Sequence, residues 1–204
     1  MAQTVAEVAH RLNRRNGQGD NFPPLLLMTD TKRLPDPCRY IPFLPAGSAV
    51  IVRHTDVIEK IKLALKIKSL CRKHKVKLLL SNDVKAAIKL GLDGVHFSEK
   101  EALRQRKKTK FSTQKNFIFT SACHSLWALK RAEHANMDAV LISPVFTTRS
   151  HPDSKGLGAL HFQCWATQTH LKCYALGGIT PKYAQRLSSS KACGFAGISG
   201  LINF

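Results

Sequence analysis

Two carboxylates, Asp83 and Glu101, follow two successive short apolar runs, KLLL at 77–80 and GVHF at 94–97. Carboxylates gathered at neighbouring chain ends are oxygen donors for Mg²⁺, which keeps water and bridges phosphate oxygens. The alternative for Asp83 is to cap a helix over 84–90. Arg53 follows the run AVIV at 49–52; a guanidinium there grips phosphate through two parallel hydrogen bonds, or remains a plain surface charge. His124 follows FIFT at 117–120. An imidazole titrates near neutral pH and suits acid–base work, the alternative being a hydrogen-bonded structural role. Gly177-Gly178 and Ser199-Gly200 follow CYAL at 173–176 and FAGI at 195–198. Their backbone N–H groups suit a phosphate, and two such loops favour that reading over tight turns alone. Together these residues describe a site for phosphorylated small molecules.

These residues share a position: each lies just beyond a run too short for a helix and about the length of a buried strand. The remaining runs are PLLLM at 24–28 and AVLI at 139–142, which makes eight. Their consecutive apolar residues fit strands covered on both faces. Helical stretches lie between them at 57–74, 84–90, 125–135, 158–168 and 181–188. Ser125 is a candidate cap, and Thr180-Pro181 a good helix start. In 57–74 an apolar arc of Val57, Ile58, Ile61, Ala64, Leu65 and Cys71 stands opposite Lys62, Lys66 and Lys73 at ~100° per residue.

Strand–helix alternation implies a parallel sheet clothed by helices. Eight strands favour an α/β fold of the (β/α)8 TIM-barrel type over an open doubly wound sheet, and no glycine-rich dinucleotide fingerprint follows the first run. In such a barrel, catalytic residues sit at the C-terminal strand ends. That rim would collect Asp30, Arg53, His54, Asn82, Asp83, Glu99, Glu101, His124, Thr148, Ser150, His151 and the Gly177-Gly178 pair. Residues 1–23 are expected to form an amphipathic extension and tether, with Val5, Val8, Ala9 and Leu12 on one side, and residues 24–204 a single barrel domain. The extension reads as a packing helix that covers part of the barrel wall, in preference to an organelle transit peptide. Few residues follow position 199, so the last helix is expected to be very short.

Composition sets the outer limits. The chain has 204 residues, 44% hydrophobic and 22% charged, a globular balance too short for two large domains. No run approaches the roughly 18 apolar residues of a membrane span, and no signal core opens the chain. Six scattered cysteines without a CxxC pair suggest neither a disulfide framework nor zinc, and fit a reducing cytoplasm. The net charge of +19 points to an anionic partner. Much of it lies away from the rim, since residues 53–77 carry nine Lys and Arg against two acids, mostly on one outer helix. The basic loop 104–116 has few aromatics to stack bases, so nucleic acid is not the expected partner.

The same residues resemble a known family. SNDVKAAIKLGLDGVHFSE is similar to the INDR…A…GADGVHLGQ block of thiamine-phosphate synthases and their thiazole tautomerase relatives. SPVFTTRSHPDSKGLG resembles GP(I/V)FxTxTK…LG, and ALGGIT resembles (A/I)GGI. GFAGISGL resembles G(V/I)AVISAI, ACHS resembles SxHS, and LLLMTD resembles Y(L/V)(V/I)TD, all in order from about residue 24 to 201. The resemblance implies a (β/α)8 barrel that joins hydroxymethylpyrimidine diphosphate to a thiazole phosphate, through a loose, carbocation-like transition state with diphosphate leaving. It implies Mg²⁺ held by Asp83 and Glu101, and diphosphate contacts from Arg53, Asn82 and His151. It implies a thiazole phosphate held by Thr148, Ser150, Gly177-Gly178 and the Ile198-Ser199 backbone. Arg53, His124 and His151 are the catalytic candidates. A thiazole tautomerase with His124 as acid–base, and a non-catalytic phosphate- or nucleic-acid-binding relative, are the alternatives; a homo-oligomer is compatible with either. The chain departs from the pattern at several points. Ile51 and Thr55 replace the Gln and Lys of Gln-x-Arg-x-Lys, Glu101 replaces an aspartate, Ala122 a serine, Ser150 a threonine and His151 a lysine.

Overall fold

The computed structural model describes residues 3–17, 22–102, 104, 116–148, 155–198 and 200–201. Eight parallel strands close into a barrel in sequence order: β1 (Leu25–Met28), β2 (Ala49–Val52), β3 (Lys77–Ser81), β4 (Gly94–Phe97), β5 (Ile118–Cys123), β6 (Ala139–Ile142), β7 (Lys172–Leu176) and β8 (Ala192–Gly197). The expected α/β barrel is therefore the observed fold. Helices α1 (Val5–Asn16), α2 (Val57–Lys73), α3 (Val84–Lys89), α4 (Glu99–Ala102), α5 (Leu126–His134), α6 (Gly158–Thr167) and α7 (Pro181–Arg186) complete it, with two 3-10 turns between β1 and β2. Six of the strands overlap their sequence-read runs closely, and β5 runs on past FIFT to Cys123. The eighth starts earlier than FAGI, at Ala192, because Ala192 and Gly194 pair with β7 across a register shift that skips Cys193.

The core has two parts. Inside the barrel, Leu26, Met28, Ala49, Ile51, Leu79, Leu141, Tyr174 and Ala196 interlock. A larger layer between strands and helices carries the alternate strand residues, such as Val50, Val52, Leu78, Leu80, Val140 and Ile142. β4 and β5 differ by turning polar groups inward: His96 Nδ1 lies 2.9 Å from the Thr120 hydroxyl, both fully enclosed. Burial pushes the His96 pKa down to about 3, with the nearby Arg53 charge adding to the shift.

α1 packs on β8 and α7 through buried Val8, Ala9 and Leu12, and a Thr4–Glu7 capping box starts it. Its C-terminal asparagines tie it to the foot of the barrel. Asn13 Nδ2 donates to the Cys193 carbonyl at 3.1 Å, and Asn16 Nδ2 to the Ala192 carbonyl at 2.6 Å. These amides thus serve the backbone groups at the start of β8.

α2 departs from the face read in the sequence. Its buried stripe is Lys60, Ala64, Ile67 and Cys71, at i, i+4, i+7 and i+11, while Val57, Ile58 and Leu65 are exposed. Lys60 accommodates this because its aliphatic stem packs while Nζ donates to the Ser81 carbonyl at 2.8 Å, at the end of β3. At the opposite end of the strands, Asp93 and Asp138 brace the barrel. Asp93 Oδ2 accepts from Leu78 N–H at 2.8 Å, and Asp138 Oδ2 from Phe119 N–H at 2.7 Å.

Candidate active site

The rim at the C-terminal strand ends is built from side chains whose backbone positions are themselves pinned. Asp30, after β1, accepts from the Lys32 and Arg33 backbone N–H groups at 3.1 and 2.9 Å. Its other oxygen meets Arg33 Nη2 at 2.7 Å and Arg53 Nη2 at 3.4 Å. The Arg33 guanidinium is the main reason the Asp30 carboxyl titrates well below the usual carboxylate range. Arg53 is further placed by its N–H, which donates to the Thr29 hydroxyl at 2.9 Å. Its guanidinium remains about half exposed. Thr29-Asp30 thus sets where the Arg53 charge stands.

Asn82 ends β3 with φ 55°, a left-handed conformation that asparagine tolerates better than most residues. Its Oδ1 accepts from Ser98 N–H at 2.8 Å, tying the β3 end to the β4 end and leaving the amide N–H₂ as a donor. Asp83 caps α3, its Oδ1 accepting from Ala86 N–H at 2.9 Å, so the capping alternative holds, and its other oxygen has no hydrogen-bond partner among the described residues. Glu101 sits in α4 and pairs with Arg104 at 2.7 Å. β3 and β4 are neighbours, so these carboxylates follow adjacent strands. Among the described residues no group of three or more His, Cys, Asp or Glu side chains forms a metal cluster. Two carboxylates with hard oxygen donors are nevertheless what Mg²⁺ takes when water and substrate phosphate supply its other ligands, so the donor set fits that ion.

His124 follows β5, with its ring on Glu99. On the far side of the rim, Gly177 and Gly178 both have positive φ, 99° and 67°. A Cβ on Gly178 would sit 2.6 Å from the Thr147 carbonyl oxygen, so this turn needs glycine twice over, for conformation and for close approach to the loop after β6. Thr148 lies beside it, its methyl 3.4 Å from where a Gly177 Cβ would be. Ile198 is partly buried after β8. Ser150, His151 and Ser199 lie outside the described residues.

The chain matches the family described as thiamine monophosphate synthase over residues 44–201. It belongs to that family. A putative thiamine-phosphate synthase 2 of Aquifex aeolicus is 33% identical over 141 residues, covering 69% of this chain and 74% of the relative. A thiamine-phosphate synthase of Anoxybacillus flavithermus is 31% identical over 148 residues, covering 71% of this chain and 66% of the relative. The solved thiamine phosphate pyrophosphorylase of Pyrococcus furiosus superposes with a TM-score of 0.69 at 19% identity, covering 94% and 91% of the two chains, a likeness of fold.

Family membership sharpens the departures. Ile51, at the family's Gln position, is fully buried among Leu26, Met28 and Leu79, so the mouth of this barrel is apolar there. Two residues to which the sequence assigned no role prove to organise the rim. One is Asp30, signalled by the Thr-Asp opening motif; the other is Glu99, which carried no signal beyond its place after GVHF.

Proposed function

We propose that this chain is a thiamine-phosphate synthase of thiamine biosynthesis. It joins hydroxymethylpyrimidine diphosphate to a thiazole phosphate, releasing thiamine phosphate and diphosphate. The thiazole nitrogen forms a bond to the pyrimidine's methylene carbon as that carbon's bond to the diphosphate oxygen breaks. The observation that carries the reading is the rim itself: Arg53, Asn82, Asp83 and Glu101 gather after β2, β3 and β4, and the tight Gly177-Gly178 turn stands across it beside Thr148.

In this reading the work is electrostatic, since charge builds on the leaving diphosphate. Arg53, steadied by Asp30 and Thr29, binds diphosphate oxygens, and Asn82 donates its free amide to them. Asp83 and Glu101 would hold Mg²⁺, which supplies further neutralisation of the diphosphate when bound. His151 adds a cation, and His124 stands between the two halves of the site. Thr148, Ser150, Gly177, Gly178 and the Ile198-Ser199 backbone hold the thiazole phosphate and so orient the attacking nitrogen. No helix among the described residues is long and apolar enough to cross a membrane, and all six cysteines are free thiols, which supports work in the cytoplasm.

Purified protein given both substrates and Mg²⁺ is expected to form thiamine phosphate, read by oxidation to a fluorescent thiochrome. Absence of product at high enzyme concentration, with the chain folded, would overturn the assignment.

A further inference from the structure

Glu99 makes two hydrogen bonds to one residue. Its Oε2 accepts from the backbone N–H of His124 at 3.0 Å and meets ring Nδ1 of the same histidine at 2.7 Å. The pairing spans 25 positions of sequence and follows from barrel register. β4 lies beside β5 with Phe97 opposite Ser121, a register that carries Glu99, two residues past β4, to the level of the β5 end that His124 follows.

A carboxylate shared by a residue's own backbone and its ring fixes the ring relative to that backbone. An ionised carboxylate only accepts, so Nδ1 is the nitrogen that carries hydrogen. The second ring nitrogen, Nε2, has no partner among the described residues and is left to a ligand. The His124 side chain is about half exposed and Glu99 lies deeper, which places the carboxylate behind the ring.

We propose that Glu99 is a positioning residue for His124: it locks the imidazole in the Nδ1–H form and leaves Nε2 as the atom that meets the phosphorylated substrate. The inference rests on the rim being the synthase site. The carboxylate behind the ring thus fixes which ring nitrogen faces the substrate and where it stands. No proton needs to leave the ring for the carbon–nitrogen bond to form. In the block that carries the family resemblance, this position is Gln in GVHLGQ and Glu in GVHFSE. A glutamine oxygen can accept the same two hydrogen bonds without the charge, which separates geometry from electrostatics.

The test is a ¹⁵N-histidine-labelled chain, with His124 assigned by its loss in His124→Asn, studied as wild type, Glu99→Gln and Glu99→Ala. Long-range nitrogen–proton spectra at pH 8.5 are expected to show the Nδ1–H tautomer in wild type and Glu99→Gln. In Glu99→Ala the signal should move toward the Nε2–H tautomer that free imidazole prefers. With both substrates and Mg²⁺, Glu99→Ala is expected to lower kcat by about 10- to 100-fold, and Glu99→Gln to recover most of that loss. Should alanine unfold the chain, Glu99→Met keeps the volume without an oxygen acceptor. An unchanged tautomer in the folded acceptor-free variant overturns the inference whatever the turnover. A changed tautomer with wild-type kcat in an active enzyme also overturns it. A wild-type chain that makes no thiamine phosphate removes the synthase reading, while the tautomer still decides what Glu99 does to His124.

Discussion

The two ends of the barrel use the same residue types for opposite purposes. At the foot, Asp93 and Asp138 stand just ahead of β4 and β6. Each carboxylate accepts a backbone N–H of the preceding strand, while its own N–H donates to that strand's carbonyl at 2.9 Å. Their carbonyls accept in turn from Ile118 and Lys172, so each aspartate stitches three strands together. At the rim, Asp83 commits one oxygen to a helix cap, and Glu99 holds a half-exposed histidine. The foot carboxylates bind the backbone of neighbouring strands; the rim carboxylates cap a helix, orient a histidine and pair with arginines. The comparison explains why a barrel can change its chemistry at one end without losing its fold, since stability and reactivity are held by different strand ends.

The largest expected effect falls at the rim. Asp83→Asn keeps an oxygen that can cap α3 but removes the charge, so synthase turnover should fall by at least about 100-fold while the melting temperature shifts little. An equal loss of both would erase the distinction between the ends. The mirror experiment is Asp138→Ala at the foot. It leaves the Phe119 N–H without its carboxylate and should cost about 1–3 kcal/mol in denaturant unfolding, with kcat of the folded enzyme unchanged.

Midway between the ends, His96 provides a pH readout. The folded chain keeps it neutral down to about pH 3, whereas in the unfolded chain it protonates near its ordinary value of 6.5. The unfolded state therefore binds the extra proton, and stability is full above pH 6.5 and declines as pH falls toward 3. His96→Gln should lower that dependence, measured as the change in urea midpoint between pH 7 and pH 4.5. The smallest effect is expected at Asp30, whose lowered pKa stabilises the fold above the ordinary carboxylate range and ceases to do so as the pH falls below it. The stability gap between wild type and Asp30→Asn, seen at pH 7, should shrink steadily below about pH 4. A gap that persists in acid would mean that Asp30 acts through its backbone turn alone.

Much of the rim was legible in the sequence because strands announce where they end. Short apolar runs fix both the strand count and the polar residues that follow, and a closed parallel barrel sends all of those to one face. Arg53, Asn82, Asp83 and Gly178 stand at such ends, and Thr148 lies in the loop after β6. Asp83 was readable both as a cap and as a ligand; the cap is seen directly, and it leaves a second oxygen. The foot aspartates passed unread, because an aspartate before a strand looks like any loop residue until the neighbouring strand's amide is set against it.

The sequence by itself determined the alternation of strands and helices, the barrel that follows from it and the side-chain types offered at the rim. These are local properties: an apolar run is buried wherever it folds, and its flanking polar residues stay at its ends. Tertiary structure decided what faces what. The face of α2 turned by enough to bury Lys60 and expose Val57, Ile58 and Leu65, because the helix answers to β2 and β3 and Lys60 can reach the Ser81 carbonyl. α1 found its place on β8, and Glu99 found His124 across a strand boundary. Such pairings depend on register and on the angle at which elements meet, and a periodicity that repeats within one element carries no record of either.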